Sequence, residues 1–325
     1  MASIKQIMDE TQAWAIAHPG LNPHDGLRKQ KIDALKALTR RPLLIYAVDF
    51  LNPKLPPQLA SQMSSINLGD KDYFSDLTDN VSGNEIDLLI HSPGGSAEAT
   101  EGIVTHLRSK FDNIRMLIPG TAKSAATMLA MAGNQLVMDD LSELGPTDPQ
   151  MVINGRFSPA GAILKQFQKA ENDLKADPAK IAAWLPVLQH YGPSILIECQ
   201  NHIDLSERLV RTWLADYMFS GQAGADSHAT EIARWLSHDE NHLSHSRRIG
   251  VSDLQQRGLN VLDMGTDAAL REAIRQLHLS IMNTFGGTGA FKLFENSEGV
   301  LLSQGITVQA VAAPTPVGAP TAPTP

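Results

Sequence analysis

The chain has 325 residues, 42% of them apolar, which suits one large folded domain or two small ones and excludes a disordered polymer. Lys and Arg number 27 against 35 Asp and Glu, a net charge of −8 with a pI near 5.7, so there is no electrostatic footprint for nucleic acid or an anionic membrane. One cysteine, Cys199, excludes an intrachain disulfide and points to a reducing compartment, and no run approaches the about twenty apolar residues of a membrane-spanning helix. The N-terminus carries acids and no apolar core of a signal peptide, so a cytoplasmic protein is expected.

Ile4 to Leu38 reads as helix, broken at His18-Pro19-Gly20-Leu21-Asn22-Pro23 and restarting near Asp25, a candidate cap. Lys29, Lys31, Arg40 and Arg41 read as a mildly basic, solvated face. The unbroken apolar run Leu43 to Val48 predicts a strand buried on both faces. Prolines make Leu51 to Leu59 a loop. A helix opens at Asp70 with acids in its first turn. Asp70, Asp72, Asp76 and Asp79 lack the glycine and ligand spacing of a calcium loop and read as a solvated face.

Strand and helix then alternate: strand 86–91, helix 97–110, strand 114–118, helix 124–132, strand 135–138. The alternation predicts an α/β fold with a parallel sheet built from βαβ units. Two strand-to-helix turns carry chemistry. In Ser92-Pro93-Gly94-Gly95-Ser96 the glycines allow close backbone approach and present free amides, or simply make a tight turn. In Pro119-Gly120-Thr121-Ala122-Lys123-Ser124 the serine falls at a helix start. There it is either an N-cap or a nucleophile whose oxyanion meets the following amide. In a parallel sheet both turns open at the same carboxyl edge, where ligands bind.

Leu141 to Gln150 is a polar, proline-bearing loop, and Phe157 opens a helix toward Leu174 with Pro159 in its first turn. Beyond Asp177-Pro178, Ile181, Trp184, Leu185 and Leu188 share one side of a short segment. Ser194 then caps an amphipathic run through Cys199, Ile203, Leu209, Trp213 and Tyr217. Its apolar set fits either a helix lying across the sheet or a subunit interface. His238, His242 and His245 have a spacing that one helix face could offer to zinc, but no HExxH motif or fourth ligand accompanies them, so no metal is expected. Ser252-Asp253-Leu254-Gln255 reads as a capping box, with Gly258 ending that helix. Asp267 to His278 is a last amphipathic helix, and from Val311 the chain is a low-complexity tail.

Three stretches resemble a known family: Ile90 to Ser96, Ala122 to Ala130, and Leu144-Gly145-Pro146-Thr147-Asp148-Pro149-Gln150. They are similar to the serine dehydrogenase proteinase family, within the Clp-protease-like and signal-peptide-peptidase-A-like serine peptidases of the ClpP/crotonase fold. The resemblance runs in order over roughly residues 38 to 265. It implies Ser124 as nucleophile, with Gly94, Gly95 and the Ala125 amide around the oxyanion, and an acyl-enzyme mechanism without ATP, metal or other cofactor. Two residues stand open as the base. His245 matches a histidine common in that family. Lys165 follows the Ser–Lys dyad of the signal-peptide-peptidase-like enzymes and must be desolvated to be neutral. Asp148 lies close to the place of the histidine in the Clp pattern and is the orienting residue. Lys123, beside the serine, points elsewhere.

The expected organisation is an N-terminal helical segment 1–38, a ClpP/crotonase-like catalytic core 39–175, a helical extension 176–310 completing the site and an oligomer interface, and a disordered tail 311–325. The expected function is a cytoplasmic serine endopeptidase, a homo-oligomer acting on a peptide or protein substrate, with no nucleic-acid partner and no membrane span. Two other readings use the same fold: a crotonase-like acyl-CoA enzyme with the glycine amides as oxyanion hole, and a non-catalytic oligomeric scaffold. Deleting residues 311–325 is expected to leave the melting temperature unchanged; a large drop in the truncated protein would show that the tail docks.

Overall fold

Two helices open the chain, α1 (Ile4–Ala17) and α2 (Pro23–Thr39). Asn22, rather than Asp25, caps the second: its side-chain oxygen accepts from the His24 N–H at 3.0 Å, while Asp25 sits in the first turn and pairs with Arg28 at 2.9 Å. The computed structural model describes residues 2–50, 55–56, 59 and 63–306. The tail expected from Val311 lies outside these residues, as does most of the loop expected over Leu51 to Leu59.

The βαβ alternation follows: β1 (Leu43–Val48), α3 (Asp70–Asp79), β2 (Glu85–His91), α4 (Ala97–Lys110), β3 (Asn113–Leu117), the short β4 (Thr121–Ala122), α5 (Ala125–Met131), β5 (Gln135–Met138) and the short β6 (Glu143–Leu144). A hairpin, β7 (Gln150–Ile153) and β8 (Arg156–Pro159), leads into α6 (Ala160–Ala176). Then come α7 (Ile181–Leu188), α8 (Ile195–Trp213) with a π-type turn over Leu214–Met218, α9 (Ala225–Ser237) and α10 (Val251–Gln255). The chain closes with β9 (Val261–Asp263), α11 (Ala268–Gly287), β10 (Ala290–Asn296) and β11 (Leu301–Gly305).

One seven-stranded sheet runs in the order β11-β10-β1-β2-β3-β5-β9. From β1 to β9 the strands are parallel, and β10 and β11 add an antiparallel edge. Both faces are covered, so the parallel strands read as continuous apolar runs. Leu44, Tyr46 and Val48 face one core with α3, α4, α5 and the second half of α8. Leu43, Ile45 and Ala47 face another with α2 and α11. Of the two readings of the long amphipathic helix, its second half fits the one across the sheet: Leu209, Val210 and Trp213 are in the main core. Its first half packs on α6 through Cys199 and Ile203. Among the described residues no helix is long and apolar enough to cross a membrane.

Several local expectations change. The β7–β8 hairpin replaces loop and helix start, and α6 begins at Ala160. Asn154 and Gly155, both at positive φ (50° and 75°), make its turn, so the Asn-Gly signal was present in the sequence. Residues 176–310, expected as helical, supply β9, β10 and β11. The β10 signal was hidden because the strand carries two fully paired charges: Lys292 with Asp70 at 2.7 Å, and Glu295 with Arg28. Asp70, expected on a solvated face, is therefore completely buried. The basic face is ion-paired, Lys31 with Glu10 at 2.6 Å and Arg41 with Glu85 at 2.6 Å. The capping acid of α10 is Asp253, which accepts from the Gly250 N–H at 2.9 Å, so the cap lies two residues before Ser252. Ser194 occupies the cap position of α8, but its hydroxyl donates to Glu198.

Between the sheet and α11, His91 at the end of β2 packs against His278, with ring centroids 4.9 Å apart. Both His278 nitrogens are buried with no hydrogen-bond partner among the described residues. Burial lowers the His91 pKa to about 4, and burial together with the charges of His91 and Arg275 holds His278 well below its usual value. Between its unfolded value and that folded value the unfolded chain binds more protons at His91, so the His91 contribution to stability falls as pH drops through about 6.5 and levels off near 4. The loss from His91 alone is about 3 kcal/mol. Denaturant midpoints at pH 7.5 and 4.5 should show this loss, and His278→Leu should lose less on acidification than the wild type.

Candidate active site

The two chemistry-bearing turns are joined by backbone pairing beyond the ends of their strands. The Ser92 N–H donates to the Thr121 carbonyl at 2.9 Å, and the Lys123 N–H donates to the Ser92 carbonyl at 3.0 Å. This brings the glycine turn against Ser124. Gly94 lies at φ 102°, and a Cβ there would stand 2.8 Å from Ser124 Cβ and 2.9 Å from the Ala125 nitrogen. Only glycine admits that approach. Gly95, at φ 153°, is as tightly held on its other side: a Cβ would meet the Ile66 carbonyl at 2.2 Å. Ile66 bridges the turn, its N–H donating to the Gly94 carbonyl at 2.7 Å and its carbonyl accepting from the Ser96 N–H at 2.9 Å.

Ser124 occupies the N-cap position of α5, yet its side chain makes no capping bond. Its backbone sits at φ 51°, ψ −122°, a conformation that costs a non-glycine residue about 1–3 kcal/mol. The hydroxyl is thus displaced from its ordinary structural use and lines a cleft of about 1000 Å³. The amides of Gly95 and Ala125 have no acceptor among the described residues, and both residues line the same cleft; the Gly94 amide instead donates to Ser92 Oγ at 3.2 Å. Ile66, Met128, Leu205 and Phe157 give the cleft an apolar wall.

His245 reaches this cleft from the far side of the chain. Its Nδ1 is 2.7 Å from Asp148 Oδ1, and Asp148 is buried. The second carboxylate oxygen accepts from Gln150 Nε2 at 2.7 Å. An ionised carboxylate only accepts, so Nδ1 carries the proton and Nε2 is left as the acceptor. The loop bearing Asp148 is stitched to α5 by Thr127, whose hydroxyl lies 2.7 Å from the Ala122 carbonyl and 2.9 Å from the Gly145 carbonyl and accepts from the Gly145 N–H at 3.0 Å. It is stitched to the His245 segment by reciprocal Leu144–Ile249 backbone bonds of 2.9 and 3.0 Å. Ser124 Oγ makes no hydrogen bond among the described residues. Such contacts tighten when substrate binds.

The other candidates lie elsewhere. Lys165, on α6, is half exposed and bonded to Asp239 at 2.9 Å and Glu240 at 3.2 Å. Desolvation pulls its pKa down, but the hydrogen bonds and charges of those two acids outweigh it and raise the value. Lys165 does not line the cleft. Lys123 extends over Gly145 and donates to the Leu144 carbonyl at 3.1 Å; burial lowers its pKa against the opposing Glu143. The three histidines do not share a helix face. His238 bonds Glu207, His242 bonds the Trp235 carbonyl, and His245 bonds Asp148. Gln150, Thr127 and Ile66 escaped sequence reasoning. The first two lie inside the motif stretches, whereas Ile66 has no local signal.

Residues 77–186 match the family of ClpP-like SDH-type serine proteinases. The match takes in the glycine turn, Ser124, Asp148 and Lys165, and stops short of His245. The resemblance read from the sequence holds, and the parallel α/β core it implied is the one the chain adopts. Two uncharacterised proteins of Methanocaldococcus jannaschii are similar. One is 28% identical over 176 residues, 54% of this chain and 53% of the relative; the other is 26% identical over 178 residues, 54% and 51%. The chain spans about half the length of these curated relatives. Among solved structures it is similar to the membrane-bound stomatin-specific protease 1510-N, at 17% identity over 61% of this chain and 74% of that chain, with a TM-score of 0.36. The ClpP catalytic domain of Plasmodium falciparum is similar at 14% identity over 71% and 90%, with a TM-score of 0.36.

Proposed function

We propose that the chain is a serine peptidase acting through Ser124, His245 and Asp148. The observation that carries this reading is the 2.7 Å His245–Asp148 bond in the cleft shared with a strained, non-capping Ser124. As Ser124 Oγ attacks a substrate carbonyl carbon, His245 Nε2 takes its proton. Asp148 holds the tautomer and balances the imidazolium. The Gly95 and Ala125 amides face the oxyanion of the tetrahedral intermediate. Its collapse breaks the C–N bond as His245 returns the proton to the leaving amine, and water then repeats the sequence on the acyl-enzyme. Lys165 is the weaker base, because Asp239 and Glu240 favour its charged form and a base must be neutral.

Fluorophosphonate labelling and hydrolysis of a peptide substrate test the assignment. Ser124→Ala should abolish both while the protein still folds, since the Ser124 hydroxyl makes no capping bond whose loss would cost stability. His245→Ala and Asp148→Asn should each lower kcat on the order of 10³–10⁴-fold. Lys165→Ala should change kcat by no more than about twofold, as surface pairs contribute little. Full peptidase activity in Ser124→Ala would overturn the reading. Turnover of an acyl-CoA without labelling of Ser124 would favour the crotonase-like alternative.

A further inference from the structure

Behind the glycine turn lies a completely buried polar triad that the proposed chemistry does not touch. Lys292 of β10, Asp70 of α3 and Tyr46 of β1 are each inaccessible to solvent. Lys292 Nζ donates to both Asp70 oxygens, at 2.7 and 2.8 Å, and Tyr46 Oη donates to Asp70 Oδ2 at 2.9 Å. A buried ion pair adds little net stability against an apolar replacement, so its presence calls for a use.

The remaining bonds of the triad all run to the segment that holds the turn. Lys292 Nζ donates to the Ser65 carbonyl at 2.7 Å, and Asp70 Oδ2 accepts from the Asn67 N–H at 3.2 Å. Between those two anchors stands Ile66, whose N–H and carbonyl clamp Gly94 and Ser96. On the other flank the Ser92 hydroxyl accepts the Gly94 N–H at 3.2 Å. The triad thus anchors the segment that clamps the glycine turn, and Gly94, Gly95 and Ser96 of that turn line the cleft.

We infer that Lys292, Asp70 and Tyr46 are positioning residues for the oxyanion-binding turn, acting through the Ser65–Ile66–Asn67 segment. The inference rests on the serine-peptidase reading for its catalytic consequence, but its structural half stands alone. A donor displaced by a fraction of an ångström binds the transition state less well while ground-state binding is spared, so the loss falls on kcat.

The test uses the full chain carrying Tyr46→Phe, and separately the charge-neutral pair Lys292→Met with Asp70→Asn, which leaves no unpaired buried charge. The control is Arg28→Met with Glu295→Gln, which removes the other buried pair anchored on β10 but reaches no part of the turn. Both triad variants should keep a cooperative melt, lower kcat roughly ten- to hundredfold with KM unchanged, and speed amide exchange at Ile66 and Ser96. The control should alter melting without moving kcat or those amides. A folded triad variant with wild-type kcat, or with unchanged exchange at Ile66 and Ser96, would overturn the inference. If the wild type fails to label at Ser124, the peptidase reading fails, and the exchange arm still decides whether the triad holds the turn.

Discussion

The candidate site depends on backbone pairing that continues past the ends of β2 and β3, Ser92 against Thr121 and Lys123. A parallel sheet delivers both strand ends to one edge, but it leaves the turns that follow free to splay. Pairing them forces the glycine turn against the start of α5 at a distance that only a residue without Cβ can occupy. The same squeeze holds Ser124 at positive φ, turning its hydroxyl out of capping geometry and into the cleft. Strain and exposure at the serine are therefore two results of one constraint, and the intact sheet beneath bears its cost.

The second half of the site is assembled by loops rather than strands. Asp148 and His245 are 97 residues apart in sequence. Their approach depends on Thr127 fixing the 144–150 loop to α5 and on Ile249 pairing with Leu144. Each of those bonds satisfies backbone groups that burial would otherwise leave unpaired. The loop is thereby tied to α5 and to the His245 segment, and its carboxylate is held where it can orient an imidazole.

Charge enters the core only where a partner awaits it. Lys292 and Glu295, three residues apart on β10, pair on opposite sides of the sheet, one toward α3 and the segment that clamps the glycine turn, the other toward α2. Burial raises the Glu295 pKa against the opposing Arg28, and burial lowers that of Lys292 against the opposing Asp70. Removing either partner would strand a charge in a low-dielectric interior, so these pairs specify how the antiparallel edge seats on β1.

By itself the sequence determined the βαβ core, both turns and the serine, because those signals are local: apolar runs of strand length, glycines at a strand end, small residues opening a helix. The Leu144–Gln150 stretch and His245 were legible as candidates, but the sequence left His245 and Lys165 open as base. Only tertiary structure surrounds Lys165 with two acids and sets His245 on Asp148. Asp70 read as a surface acid and β10 did not read as a strand, for one reason. A charge in a sequence looks solvated until the fold reveals its partner, and that partner lies 222 residues away. Periodicity records which side a residue faces; which residue it meets there is decided by the closing of the whole chain.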